Sequence, residues 1–197
     1  MNVSPLTMRR LKNFRANKRG YYAALVFSVL FLISVFAEFI ANYKPIIVVF
    51  NGQIQFPVFE KISETYYGGE FETEADYKDP FVKDLITQKG FFVMPLIEYS
   101  YDTINYDLKV PSPSPPTFEN LLGTDDQGRD VLARLIYGFR ISVFFGLTLT
   151  ILSSIIGIFI GGIQGFYGGK LDLFGQRFIE IWSGLPVLYL LIIISSF

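Results

Sequence analysis

Three long apolar runs alternate with polar segments along this chain. They cover residues 21–41, 141–163 and 179–197. Each run is close to the roughly 20 residues that a helix needs to cross the hydrocarbon core of a bilayer. A cleaved signal peptide is the alternative for the first run, but that run is long for one and has no small-x-small sequence at its end. The pattern therefore predicts three membrane-spanning helices.

The only sizeable polar region lies between the first two runs, at residues 42–120. Within it, the stretches 46–50 and 53–56 flank the dipeptide Asn51-Gly52. Two such stretches around Asn-Gly predict a β-hairpin with a tight turn. The region therefore begins with a predicted hairpin rather than a helix.

A short helix and an extended linker follow the predicted hairpin. Asp79 and Pro80 have the chemistry of a helix N-cap and a first helical residue, and Gly90 can end that helix. Residues 91–108 favour further short strands, and the sequence PSPSPP at 111–116 predicts a stiff extended linker. Together these features predict a small mixed α/β region outside the membrane.

A charged segment, LLGTDDQGRDVLARLIYGFR at 121–140, stands directly before the second run. Thr124 and Gln127 have the spacing of a capping box, so the predicted helix begins there. Apolar residues then recur at helical spacing, which suits an amphipathic helix at the membrane surface. The four charged members of the motif below are predicted to fix this interfacial helix by capping and pairing. The motif consists of Gly123, Thr124, Asp125, Asp126, Gly128, Arg129 and Asp130.

Composition and charge also indicate a membrane protein. Hydrophobic residues make up 51% of the chain, charged residues only 18%, and the mean hydropathy is +0.38, which is too apolar for an ordinary soluble domain. Six basic residues and no acidic residue precede position 20. By the positive-inside rule, the tail at 1–20, which we expect to be flexible, lies in the cytoplasm. This rule explains the basic flank better than nucleic-acid binding does.

The residue types that most catalytic and metal sites require are missing. The chain contains neither Cys nor His, which excludes disulfides and thiolate sites and removes the commonest metal ligand and general base. No G-x-S-x-G sequence positions a serine, and Gln164 stands where a Walker motif before Gly169-Lys170 requires glycine. We therefore expect no catalytic residue, no metal site and no bound cofactor in this chain.

Two acidic features each leave an alternative open. Glu38 lies near the end of the first run, where a carboxylate can mark a substrate path, but its position close to the interface favours contact with water. A second feature, an acidic patch in the region 42–120, lacks the spacing of an EF-hand loop. A solvated loop is therefore favoured there over a calcium site or a docking surface. The patch consists of Glu70, Glu72, Glu74, Asp76 and Asp79.

Small residues recur at every fourth position along the second run. They place Gly157, Gly161 and Gly165 on one face of the predicted helix, where another helix backbone can approach closely. The sharper alternative, a glycine-rich phosphate cradle, lacks the required spacing. We predict a role in helix packing for these three glycines.

A short turn at 164–178 leads into the third run. Arg177 and Glu180 lie at this predicted membrane entry and are three residues apart, so they can pair on a helix. Local pairing is favoured, and a role in coupling is the alternative. The sequence Gly184-Leu185-Pro186 interrupts the third run and predicts a kink.

These segments together resemble a known transporter family. GTDDQGRDVLARLIYGFRIS, GGIQGFYGGKLDLFGQR and IEIWSGLP are similar to segments of the C-type permease subunits of oligopeptide and dipeptide ABC importers. NFRANKRGYYAALVFSVLFLISVFAEFIANYKP, with ADYKDP and PSPSPP, is similar to the permeases of peptide and microcin C importers. The family often has a His before the LGTD sequence, where Asn120 and Leu121 stand here.

The resemblance implies an all-α integral membrane fold, with three transmembrane helices of a larger ABC importer permease and a small mixed α/β extracytoplasmic loop region. It implies a multi-pass subunit of the bacterial inner membrane that forms part of a peptide translocation pathway. The implied partners are a second permease subunit in a heterodimer, a cytoplasmic ATPase that binds the ATP, a periplasmic peptide-binding protein and membrane lipid. Because the resemblance covers the N-terminal part of such a permease, we expect a fragment without the ATPase-coupling loop.

Two other classes of protein are alternatives to the permease. A bitopic membrane sensor with a periplasmic domain fits residues 1–163, but a third apolar run stands where a polar signalling helix should begin. A membrane-embedded hydrolase would require a catalytic motif that is missing. The predicted segments are a cytoplasmic basic tail at 1–20, transmembrane helices at 21–41, 141–163 and 179–197, a periplasmic loop region at 42–120, an interfacial amphipathic helix at 121–140 and a cytoplasmic turn at 164–178.

Overall fold

The computed structural model describes residues 4–196, which form mainly helices and one small sheet. These residues divide into two compact units, with the boundary between Val143 and Phe144. The helices are α1 (Pro5–Ala16), α2 (Lys18–Val35), α3 (Ala37–Ile40), α4 (Glu64–Tyr67), α5 (Pro80–Lys89), α6 (Val131–Tyr167), α7 (Gly169–Ser183) and α8 (Val187–Ser195). The strands are β1 (Ile47–Phe50), β2 (Gln53–Gln55) and β3 (Gly90–Val93).

Among residues 4–196, two helices, α2 and α6, are long and apolar enough to cross a membrane. The pair α7 and α8 qualifies as a third span if two helices bent by 72° are counted as one. These apolar helices fit an integral membrane protein, and the sheet adds strands to a chain that is otherwise mainly helical. The number of spans stays a prediction.

The described part of the N-terminal tail is mostly helical, whereas the sequence predicted a flexible segment. The hydroxyl of Ser4 accepts a hydrogen bond from the backbone N–H of Thr7 at 3.4 Å, and Pro5 is the first helical residue of α1. Both residues are favourable at a helix N-terminus, which explains why the helix begins there. The first apolar run also differs from the prediction, because Phe36 separates α2 from the short helix α3.

The predicted interfacial helix at 121–140 is not a separate element. The residues before Val131 form turns, and α6 then continues without a break for 37 residues. Asp130 is the residue that caps this helix, because its Oδ1 accepts a hydrogen bond from the backbone N–H of Ala133 at 2.7 Å. The prediction of a helix that begins at Thr124 is therefore wrong.

The predicted turn at 164–178 is also mostly helical. Only Gly168 separates α6 from α7, and its φ of +56° is a conformation that glycine adopts readily. Farther along, α7 ends at Ser183 and α8 begins at Val187. The bend between these helices confirms the interruption that Pro186 and its neighbours predicted.

The small sheet has the strand order β2-β1-β3, with antiparallel pairing throughout. Asn51 and Gly52 connect β1 to β2 with φ values of +50° and +78°, the conformation of a two-residue hairpin turn. The predicted hairpin is therefore confirmed. Residues 91–108 contribute only the end of β3 and isolated bridges such as Ala41 with Ile97.

The sheet and α5 enclose the larger core of the first unit. Asp79 accepts a hydrogen bond from the backbone N–H of Phe81 at 2.9 Å and caps α5, as predicted. The hydroxyl of Tyr67 donates to Gln55 at 2.9 Å and lies 3.3 Å from the hydroxyl of Tyr77. Burial raises the pKa of both tyrosines, so they stay neutral. The buried members of this core are Val48, Phe50, Ile62, Tyr67, Ala75, Tyr77, Val82 and Ile86.

Candidate functional site at the start of the long helix

The charged motif that precedes α6 folds into a closed loop, which we call the 123–130 loop. Two glycines have positive φ values, +73° at Gly123 and +81° at Gly128. The backbone N–H of Asp125 donates to the carbonyl of Arg129 at 2.9 Å, and the N–H of Gly128 donates to the carbonyl of Asp125 at 3.1 Å. The N–H of Val131 donates to the carbonyl of Gly123 at 3.1 Å. The last of these bonds joins the start of the loop to the first residue of α6, and the other two close the loop internally.

Asp125 holds the loop together from inside. Its carboxylate accepts hydrogen bonds from the backbone N–H groups of Gln127 and Arg129, each at 2.9 Å. The Arg129 side chain donates Nε–H to the same carboxylate at 2.8 Å, and the Arg134 guanidinium pairs with it as well. Partial burial raises the pKa of Asp125, but the hydrogen bonds from Arg129 and Gln127 outweigh this effect and lower the pKa to about 2. The carboxylate is therefore ionised at any physiological pH.

Asp130 connects the loop to an inner row of amides. Its carboxylate is almost completely buried and accepts a hydrogen bond from the side-chain amide of Asn120 at 2.8 Å. Asn120 in turn accepts a hydrogen bond from the amide of Asn105 at 3.0 Å. Since buried polar groups are costly unless they are hydrogen-bonded, this row fixes the position of the α6 N-terminus relative to residues 105 and 120.

Thr124 binds the linker instead of capping a helix. Its hydroxyl accepts a hydrogen bond from the backbone N–H of Ser114 at 3.0 Å, and its own N–H donates to the carbonyl of Ser114 at 3.1 Å. Gln127 and Asp126 are exposed. The predicted capping box is therefore replaced by a contact with the linker, and the role of Asp126 stays a prediction. Asp125 pairs with Arg129, and Asp130 caps α6; the structural role proposed for the motif in the protein stays a prediction.

A second set of contacts joins the first turns of α6 to the end of the first apolar run. The hydroxyl of Tyr137 donates to the carbonyl of Ala41 at 2.9 Å. Nη1 of Arg140 lies 2.8 Å and 2.9 Å from the two carboxylate oxygens of Glu38. Glu38 is thus paired with a cation, whereas its sequence position favoured simple contact with water. A small apolar core surrounds these groups and contains Ala37, Ala41, Ile97, Tyr99, Ala133 and Tyr137.

The remaining candidate residues lie in the second unit. Nη1 of Arg177 is 2.6 Å from the carboxylate of Glu180, and both side chains are exposed. At Gly157, Gly161 and Gly165, nothing in the described part of the chain beyond the helix's own backbone lies within 4 Å of the place a Cβ would occupy. The packing role of these glycines therefore stays a prediction.

The acidic patch of the first unit is distributed among local contacts. Glu74 pairs with Lys44, and Asp76 accepts a hydrogen bond from the backbone N–H of Lys78 at 2.9 Å. The ammonium group of Lys78 lies 3.4 Å from the centre of the Tyr99 ring, and burial lowers the pKa of this lysine. Across residues 4–196 no three carboxylates are grouped so that they could hold a metal ion.

Comparison with known proteins shows which proteins this chain is similar to. The chain is 47% identical to the inner membrane ABC transporter permease protein YejE of Escherichia coli (strain K12) over 194 residues, which are 98% of this chain and 57% of that protein. This chain is homologous to ABC transporter permeases. The peptidoglycan transport system permease protein YejE of Agrobacterium fabrum is also 47% identical, again over 98% of this chain and 57% of the relative. The chain thus spans somewhat more than half the length of these permeases.

Dipeptide and oligopeptide permeases match over shorter stretches. The dipeptide transport system permease protein DppC of Haemophilus influenzae is 51% identical over 76 residues, 39% of this chain and 26% of the relative. The oligopeptide transport system permease protein OppC of Bacillus subtilis is 34% identical over 110 residues, 56% of this chain and 35% of the relative. No family model and no solved structure matches the chain. Because the relatives are transporter permeases, the alternative of a bitopic sensor is not supported.

Proposed function

We propose that this chain forms part of a transmembrane permease subunit of a bacterial ATP-binding-cassette importer for oligopeptides. The observation that carries this proposal is the 47% identity with E. coli YejE across 98% of the chain. The names of the DppC and OppC relatives favour peptides as the substrate class. Microcin C-like peptides belong to the proposed range through the sequence resemblance, and peptidoglycan-derived peptides through the name of the Agrobacterium relative.

The proposed location is the bacterial inner membrane, with the N-terminus in the cytoplasm. The basic residues before α2 support this orientation through the positive-inside rule. In this arrangement α2 and α6 cross the membrane, and α7 with α8 forms a third, broken span. The region 42–120 and the 123–130 loop then lie on the periplasmic side.

The proposed mechanism requires partners that supply energy and substrate. A second permease subunit would complete the pathway, a cytoplasmic ATPase would bind ATP, and a periplasmic binding protein would deliver the peptide. ATP binding to the ATPase shifts the population between outward-open and inward-open arrangements, because it favours one of them by its differential binding free energy. In this chain, Gly157, Gly161 and Gly165 would pack against neighbouring helices of the pathway.

In this mechanism the 123–130 loop would hold the N-terminus of α6 in a fixed position. It fixes the start of α6 through Asp130, while Tyr137 and Arg140 join the same helix to Ala41 and Glu38. Rigid elements and hydrogen-bonded networks are among the structures that carry coupling between distant sites. We therefore assign this loop a structural role, and Arg177 with Glu180 a local pairing role at the cytoplasmic membrane entry.

A chimeric permease tests the proposed function directly. Residues 1–197 would replace the matching part of E. coli YejE in cells that lack their own YejE, and uptake of a labelled oligopeptide would be measured. The expected result is uptake well above that of cells with an empty vector. The matched control is the same chimera in cells whose partner ATPase cannot hydrolyse ATP, which should abolish uptake. A chimera present at normal abundance that gives only background uptake would contradict the proposal.

A further inference from the structure

Several large apolar side chains are exposed where the extramembrane region begins. Phe59 is 71% exposed, Leu96 is 87% exposed, and Phe36, at the break between α2 and α3, is 54% exposed. We call these three residues the membrane-proximal apolar patch. In water, such side chains lose the free energy that burial of their apolar surface would provide.

The patch continues the surface of the first apolar helix. The ring centroids of Phe36 and Phe39 are 6.4 Å apart, and those of Phe39 and Phe59 are 5.6 Å apart. On the other side, the backbone N–H of Ile97 donates to the carbonyl of Ile40 at 2.9 Å, which places the neighbouring Leu96 beside the end of α3. Phe59 and Leu96 thus lie next to the helix end although they are distant in the sequence.

The strand register explains why these residues return to the helix. β1 leads away from α3, and β2 pairs antiparallel to it, with Val48 opposite Gln55. The chain after Gln55 therefore runs back toward α3 and reaches Phe59. β3 is also antiparallel to β1, with Ile47 opposite Val93, so it likewise ends near α3, three residues before Leu96.

We infer that the membrane-proximal apolar patch inserts into the lipid of the leaflet from which residues 42–120 emerge. This inference rests on the proposed membrane placement of α2. The structure favours lipid as the material that covers the patch, because the patch is continuous with the surface of α2. Only 6% of that apolar helix is buried inside the structure. Apolar groups at such an interface reach roughly 5–10 Å into the boundary between headgroups and acyl chains.

Tryptophan fluorescence can test this insertion in the full chain. Trp182 is the only tryptophan, so the background variant is Trp182→Phe. Phe59→Trp and Leu96→Trp then place a single probe in the patch. The chain would be reconstituted in phosphatidylethanolamine and phosphatidylglycerol vesicles, with lipids brominated either near the carbonyl end or near the methyl end of the acyl chain as quenchers.

Two control variants give the quenching expected for a probe in lipid and for a probe in water. Leu30→Trp lies within α2 and reports whether the helix itself is in lipid. Phe71→Trp is a similarly exposed phenylalanine, at 62%, but it lies beside α4 because the N–H of Thr65 donates to the Phe71 carbonyl at 3.2 Å. The ring centroids of the α4 residue Tyr66 and of Phe50 are 6.0 Å apart, and Phe50 is at the end of β1 that points away from α3.

The expected result is that the two patch probes are quenched by bromine near the carbonyl end, more than by bromine near the methyl end, and that Phe71→Trp is not quenched. Quenching of Leu30→Trp alone would overturn the inference while leaving the membrane placement intact, and would indicate a protein-docking face instead. If Leu30→Trp also escapes quenching, the membrane placement itself is wrong, and the inference fails with it.

Discussion

Arg140 pairs with Glu38 although 102 residues separate them in the sequence. The guanidinium lies 2.8 Å from one carboxylate oxygen and is also 3.5 Å from the carbonyl oxygen of Val35. This pair joins the first turns of α6 to the end of the first apolar run, beside the hydrogen bond from Tyr137 to Ala41. The pair therefore holds α3 and the first turns of α6 together.

Glu38→Gln and Arg140→Gln should each lower the stability of the folded chain by about 1 kcal/mol, because each leaves a partly exposed charge without its partner. The double variant should lose less than the sum of the two single losses, since the coupling between the two residues is removed only once. Thermal unfolding in detergent micelles measures all three variants. Strictly additive losses would show that the pair contributes no coupling energy.

The lowered pKa of Asp125 should make the stability of the folded chain depend on pH in the acid range. Its pKa in the folded chain is about 2, below the ordinary value near 4. The carboxylate therefore stabilises the fold fully above its unfolded pKa, and this contribution is lost as the pH falls through the folded pKa. Asp125→Asn should be less stable than the wild type at pH 7, with the difference shrinking as the pH falls from about 4 to about 2. Asp126→Asn, at an exposed neighbour, is the control and should change little.

Gly123 should tolerate alanine poorly for two separable reasons. Its φ of +73° strains any residue with a Cβ, and the added carbon would lie 2.4 Å from the carbonyl oxygen of Ser114. Gly52 has a similar φ of +78° but open space around it, so Gly52→Ala measures the strain alone, about 1–2 kcal/mol. Gly123→Ala should cost clearly more in thermal unfolding. Equal losses at both positions would mean that the loop yields to the added carbon.

Asn120 should be replaceable by histidine but not by leucine. The side chain donates to the buried carboxylate of Asp130 at 2.8 Å, and a histidine N–H can make the same bond. Leucine would leave that carboxylate oxygen without its partner, at a cost of about 2 kcal/mol. Thermal unfolding of Asn120→His and Asn120→Leu compares the two. Similar stability of both variants would show that the hydrogen bond to Asp130 does not matter for the fold.

The absence of cysteine makes the proposed orientation easy to test. Lys12→Cys and Glu72→Cys introduce a single thiol on each proposed side of the membrane. In intact cells a membrane-impermeant maleimide should label only Glu72→Cys, and permeabilisation should expose Lys12→Cys. Both side chains lie in exposed segments, so each acts as the accessibility control of the other. Labelling of Lys12→Cys in intact cells would reverse the proposed orientation.

Local chemistry explains which parts of the fold were predictable. The Asn51-Gly52 turn and the cap formed by Asp79 depend on adjacent residues, and both were predicted correctly. The start of α6 was predicted wrongly because Thr124, a good helix cap by sequence, bonds to Ser114 ten residues earlier. A capping pattern contains no information about such a competing partner.

Pairs of residues that are distant in the sequence could not be predicted for a similar reason. Glu38 and Arg140 each stood at the edge of an apolar run, so their opposite charges offered a weak signal. Nothing in the spacing indicated that these two ends meet. The same applies to Asn105 and Asn120, whose amides form the inner row behind Asp130. The ring contact between Phe39 and Phe59 likewise depends on the register of the sheet, which brings Phe59 back toward α3, rather than on local sequence.

The hydrogen bond between Tyr137 and Ala41 has a consequence for how this architecture can vary. The chain leaves the first apolar run at Ala41, and Tyr137, in the second turn of α6 and 96 positions later, contacts that same residue. The intervening region is therefore an insertion whose entry and exit coincide. Insertions of this kind can lengthen, shrink or be exchanged without moving the scaffold that carries them. The part of this region away from Ala41 and Tyr137 can therefore change in length and sequence while the helices keep their places.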